Sequence, residues 1–98
     1  MALSSTQIRY LRSLAHGLSP VILLGNKGAS TAVVKELGLA LETHELVKVK
    51  LSGGDKDARQ TQLATLLQGT GAEEIQQIGH VAIVFRRNAD EPKIALPR

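Results

Sequence analysis

A chain of 98 residues with 43% apolar side chains is sized for one small domain with its own core, spanning residues 1–98. Its longest apolar run, Val21–Leu24, falls far short of the ~18 residues of a membrane span. The absence of cysteine excludes disulfides, thiolate zinc sites and cysteine nucleophiles.

The net charge of +3 is unevenly placed. Residues 1–52 carry six basic side chains (Arg9, Arg12, Lys27, Lys35, Lys48, Lys50) against three acids, whereas the remainder is balanced at six against six. A one-sided basic balance favours a polyanionic partner. Tyr10 and Phe85 are the sole aromatics. That argues against a stacking platform for bases, so a nucleic-acid partner is expected to be held mainly by backbone and shape. The N-terminus lacks the apolar core of a secretory signal, since Met1-Ala2-Leu3 runs at once into Ser4-Ser5-Thr6-Gln7. Cytoplasm is therefore the expected compartment.

The first helix is predicted over Thr6–His16, capped by Ser4 or Ser5. Ile8, Leu11, Leu14, Ala15 and Leu18 form its apolar stripe, and Arg9, Arg12 and His16 share another face. Gly17 and Pro20 end it. A face with two arginines is commonly just solvated, but here no acid lies nearby in sequence. Val21–Leu24, continuously apolar, reads as a strand buried on both sides.

Gly25-Asn26-Lys27-Gly28 follows, a Gly-x-x-Gly turn holding one lysine, and then Ser30 or Thr31 as the cap of a second helix reaching about Thr43. Strand, glycine-framed turn and helix N-terminus together suit an anion: the first-turn N–H groups lack intrahelical partners and the helix dipole is positive there. The pattern is neither a P-loop nor a dinucleotide fingerprint, because Gly-x4-Gly-Lys-Ser/Thr and Gly-x-Gly-x-x-Gly are both missing. A bare Gly-x-x-Gly also serves as an ordinary strand-to-helix connection.

Val33, Val34, Leu37, Ala40, Leu41 and His44 form the stripe of the second helix, which makes His44 a buried or capping histidine. Gly38, which weakens that helix by roughly 1 kcal/mol, suggests close approach to the sheet. Glu45–Leu51 alternates, with Val47, Val49 and Leu51 on one face and Leu46, Lys48 and Lys50 on the other. Asp55 caps a third helix from Lys56 to Gln68. Glu74–Ile78 and Val81–Arg86 form a hairpin about Gly79-His80. The tail from Asn88 to Arg98 reads as an ordered edge or a loose end.

The predicted order is α-β-α-β-α-β-β: an α/β domain with helices packed on one mixed sheet, its βαβ part implying parallel pairing. Glu42, His44 and Glu45 lack the spacing of a zinc motif, and Asp55-Lys56-Asp57 lacks the rest of a calcium loop. No nucleophile–base pair stands out. No catalytic residue, metal or cofactor is expected, and the chain is read as a non-enzyme.

Leu14-Ala15-His16, Leu18, Pro20, the apolar strand, Gly25-x-x-Gly28, His44-Glu45-Leu46-Val47-Lys48-Val49-Lys50, Thr70-Gly71-Ala72, Gln77-Ile78-Gly79 and Arg86 together resemble the CRM domain (chloroplast RNA splicing and ribosome maturation). The resemblance covers nearly the whole chain and matches the bacterial stand-alone form. It implies a compact α/β domain with a four-stranded mixed sheet, similar to the C-terminal domain of translation initiation factor three. It also implies a KH-like loop that clamps RNA. By that resemblance, the expected function is binding to precursor large-subunit ribosomal RNA within a pre-ribosomal particle, as a monomer away from membranes. The expected RNA-binding residues are Gly25, Asn26, Lys27 and Gly28, extended by Arg9, Arg12, Lys48, Lys50, Arg86 and Arg87. Alternatives are a module docking on ribosomal proteins, an RNA chaperone of the intron-splicing type, or, least supported, a small enzyme acting on a phosphorylated substrate.

Overall fold

The computed structural model describes residues 3–98; Met1 and Ala2, which enter the reading of the N-terminus, lie outside the described residues. The elements are α1 (Ser5–Ala15), β1 (Ile22–Leu23), α2 (Thr31–His44), β2 (Leu46–Lys50), α3 (Lys56–Thr70), β3 (Glu73–Ile78) and β4 (Val81–Phe85). This is the α-β-α-β-α-β-β order read from the sequence. Each helix starts where a polar side chain can satisfy a first-turn N–H. Ser4 and Gln7 form a reciprocal capping box on α1, Ser30 accepts the Val33 N–H, and Asp55 accepts the Ala58 N–H.

The four strands form one mixed sheet in the order β1-β2-β4-β3. β1 lies parallel to β2, and β4 runs antiparallel to both β2 and β3. The two crossovers, β1-α2-β2 and β2-α3-β3, therefore advance in one direction across the sheet, and β4 fills the gap left by the second. Crossovers of one hand advancing in one direction put their helices on one face, and α2 and α3 both pack there.

That face holds the larger core. Leu37 and Leu41 of α2 and Leu63 and Leu66 of α3 meet Ile22, Val47, Val49, Ala82 and Val84 of the sheet. Burying each leucine, isoleucine or valine among them stabilises the fold by about 1.5–3 kcal/mol. Gly69 sets how closely α3 approaches α2: a Cβ there would lie 2.5 Å from Cγ1 of Val34. At Gly38, by contrast, a Cβ would meet nothing within 4 Å, so that glycine does not mediate the close approach to the sheet expected of it.

The opposite face carries a second core, in which Leu11 and Ala15 of α1 meet Leu46, Ile75, Ile83 and Phe85, with Ile94 and Leu96 of the tail packed alongside. A bulge between Glu74 and Gln76 turns Ile75 into this core. The tail is thus an ordered part of the α1 layer, and the Pro97 carbonyl accepts a hydrogen bond from Gln7 Nε2 at 3.0 Å.

One expectation is overturned, and of the two alternatives for His44 only its place in the last turn of α2 holds. β1 is not buried on both sides: Ile22 is 2% exposed, but Val21 and Leu23 are 56% and 64% exposed. An edge strand has one neighbour, and α1 docks over the other end of the sheet, so the α1 side of β1 stays open. His44 is exposed rather than buried, and Glu45 is buried in its place. The helix ends between them, and the φ of 62° at Glu45 swings the following residue inward.

Candidate nucleic-acid interface

The Gly25–Gly28 turn leaves β1 at the carboxyl end of the parallel pair. The Leu24 N–H donates to the Lys50 carbonyl at 2.9 Å, fixing its start, and the Gly28 N–H closes the turn onto the Gly25 carbonyl at 2.9 Å. Gly28 has φ +63°, a conformation that costs other residues about 1–2 kcal/mol. Gln62 of α3 backs the turn beside Gly28, and its side chain is fixed by accepting the Ser52 N–H at 3.1 Å.

Gly25 differs from Gly28: its φ is not positive, and a Cβ there would meet nothing within 4 Å. Neither backbone geometry nor packing within the chain requires a glycine at that position. What its missing side chain leaves is open backbone beside the exposed Asn26 and Lys27. Just beyond, the N–H groups of Thr31 and Ala32 lack intrahelical partners. The site therefore combines bare backbone, a helix N-terminus and one mobile ammonium, the elements of an anion cradle.

The basic residues predicted with it separate into three groups. Lys50 lies close by, exposed and directly opposite Leu23, two residues before the turn. Arg9, Arg12 and Lys48 belong to the α1 face. Lys48 Nζ donates to the Leu18 carbonyl at 3.0 Å, and Arg12 Nε donates to the Ile75 carbonyl at 3.5 Å. Arg86 and Arg87 lie at the far end of β4, about 17 Å of strand rise from Val81. The Arg86 guanidinium is occupied in tying three elements together: it donates to the Thr70 carbonyl at 2.7 Å and the Gly38 carbonyl at 3.0 Å. The structure therefore puts Lys27 and Lys50 at the same end of the sheet and sets Arg86 and Arg87 at the other.

Lys56, Arg59 and His80 were not among the predicted residues, yet topology places them at the same end as the turn. β1 and β2 are parallel, so the N-termini of α2 and α3 emerge side by side. The 79–80 hairpin joins them, with the His80 carbonyl accepting the Leu51 N–H at 2.6 Å. Arg59 Nη1 donates to the Gly54 carbonyl at 2.9 Å, while its buried Nε has no protein partner. A βαβ pattern alone could have pointed to these residues.

Glu45 carries the strongest electrostatic perturbation among the described residues. Its burial opposes ionisation, but N–H groups of Asn88, Ile94 and Lys93, with the Arg87 charge nearby, outweigh this and hold its carboxyl below the usual range. That arrangement is structural, since it fixes the tail. No cluster of three His, Asp or Glu side chains able to hold a metal occurs among the described residues.

Fold and site together define a small α/β module with a glycine-framed turn, an exposed lysine and a helix N-terminus at the carboxyl ends of two parallel strands. The chain belongs to the CRS1/YhbY (CRM) domain family, whose model matches residues 3–86. It is 41% identical over 96 residues to an RNA-binding protein of Haemophilus influenzae, covering 98% of this chain and 96% of that one. It is 30% identical to the Bacillus subtilis protein YqeI, named a probable RNA-binding protein, over 97% of this chain and 99% of the relative. The solution structure of a Staphylococcus aureus protein, described as a candidate RNA binder, superposes with a TM-score of 0.81 at 33% identity, covering 98% of this chain and 100% of that one.

Proposed function

We propose that this protein binds RNA through the Gly25–Gly28 turn and assists assembly of the large ribosomal subunit in the cytoplasm. The observation that carries the reading is Gly25, a glycine that the fold does not need, beside Lys27 at the start of α2. Backbone N–H groups and the Lys27 ammonium take phosphates there, and Lys50, on the neighbouring strand β2, extends the charged surface. The names of the relatives support RNA as the partner. The ribosomal destination rests on the resemblance to the bacterial CRM form.

Crosslinking in cells followed by sequencing of the bound RNA tests both parts. Enrichment of precursor large-subunit ribosomal RNA, reduced by Lys27→Ala, is the expected outcome. A spread over unrelated transcripts would remove the assembly role, and recovery of no RNA would remove the RNA reading.

A further inference from the structure

The α1 face of the sheet is only half covered. α1 and the tail lie over Leu46, Ile75, Ile83 and Phe85, while the last row toward the Gly25–Gly28 turn is left largely open. Cross-strand partners share a face, so Leu23, Lys50, Val81 and Ile78 form one row running across all four strands. It spans about 14 Å at three strand spacings. Leu23 and Ile78, at its two ends, are 64% and 60% exposed. Beside this row lies a hollow of about 200 Å³ floored by Ile78, Val81 and Ile83, with Gln76 in one wall and Arg12, His16 and Lys48 around it. Among the described residues, no carboxylate lines it.

We propose that this hollow receives an unpaired RNA base, with its flanking phosphates on Arg12, His16 and Lys48. The inference rests on the RNA reading of the Gly25–Gly28 turn and adds a second subsite to it. The aliphatic floor takes the flat face of a base out of water without an aromatic ring. The Gln76 carboxamide offers one donor and one acceptor edge for its polar atoms. Arg12 uses Nε on the Ile75 carbonyl, and its remaining guanidinium donors are available for phosphate or for stacking on the base. The row begins at Leu23, two residues before the turn, so a strand clamped at Gly25–Gly28 passes over Lys50 on its way to the hollow. A duplex does not fit the same description, because its bases are stacked and paired and cannot enter a hollow of this size. A second copy of the chain fits poorly too, since a two-fold contact on this row would set the same cations against each other.

The test compares the full-length wild-type chain with Ile78→Asp, Gln76→Ala and Lys27→Ala. Binding is read by fluorescence anisotropy with a labelled single-stranded RNA and with the same sequence as a duplex. Circular dichroism melts confirm that the variants fold; Ile78 is exposed, so its replacement leaves the core intact. The wild type is expected to prefer the single strand. Ile78→Asp should weaken the single strand about tenfold and leave the duplex unchanged, and Gln76→Ala should alter the ranking of the four homopolymers. In the wild type, amide resonances of residues 76–83 should shift with single-stranded RNA alone. Equal binding of Ile78→Asp and wild type to the single strand, with Lys27→Ala still weakened, overturns the base subsite and leaves the phosphate clamp standing. No binding of either RNA by the wild type overturns both. Sedimentation showing that Ile78→Asp dissociates a wild-type oligomer, with RNA affinity unchanged, assigns the row to self-association instead.

Discussion

The buried carboxylate of Glu45 accepts the backbone N–H of Asn88 at 2.6 Å, across 43 residues of chain. Its other oxygen accepts the N–H groups of Lys93 and Ile94, each at 2.7 Å. One side chain at the end of α2 thereby fixes the tail against α1 and the sheet, and Ile94 and Leu96 complete the second core.

Glu45→Ala leaves those three N–H groups without their acceptor. A buried unsatisfied donor costs about 1–3 kcal/mol, and part of the loss is recovered if the tail detaches into water. The expected outcome is a destabilisation of about 2–4 kcal/mol in urea unfolding. Limited proteolysis should cut first within residues 88–98. Glu45→Gln, which keeps one acceptor oxygen, should fall between the wild type and the alanine variant.

The same carboxylate makes stability depend on pH. Its pKa is lowered in the folded chain, so the folded state favours the ionised form. Its contribution is fully present above the ordinary value of 4.5 and is lost as pH falls from there through the lower folded value. Thermal melts from pH 6 down to pH 3 should show a steeper loss of stability for the wild type than for Glu45→Gln. Parallel curves would show that the carboxylate charge does not contribute.

The two glycines of the turn should respond differently to alanine. Gly28→Ala places a Cβ at φ +63° and should destabilise the fold by about 1–2 kcal/mol. Gly25→Ala meets open space and should leave the melting temperature unchanged while weakening RNA binding. Loss of stability in Gly25→Ala, with normal RNA affinity, would make that glycine a structural residue.

Lys27 and Arg86 should likewise separate charge for binding from charge for folding. Lys27→Ala is expected to lower the slope of log affinity against log salt by about one phosphate with no change in stability. Arg86→Ala removes donors from the Thr70 and Gly38 carbonyls and should cost about 1–3 kcal/mol, with little effect on that slope.

Gly69→Ala would set a Cβ against Val34 at the α2–α3 contact. Overpacking there is expected to cost about 1–3 kcal/mol by chemical denaturation, despite alanine's better helix propensity. Gly38→Ala, in open space, should instead be neutral or slightly stabilising.

The sequence by itself determined the seven elements, because capping residues, 3.6-residue stripes and the alternation of Val47, Lys48 and Val49 are local signals. It also picked out the Gly25–Gly28 turn, whose glycines and lysine are contiguous. It could not distinguish Gly25 from Gly28, since backbone angle and surrounding space are properties of the folded turn. Only the tertiary structure decided that Val21 and Leu23 stay exposed: continuous apolarity signals burial, but the edge position of β1 and the reach of α1 set which side is covered. The same holds for Glu45 and Arg86, charged in sequence yet committed to backbone groups 43 and 16 or 48 residues away. Those partners meet only when the sheet closes, so no local pattern announces them. Which basic residues adjoin the turn is likewise fixed by strand order, which placed Lys50 beside it and sent Arg86 and Arg87 to the far end.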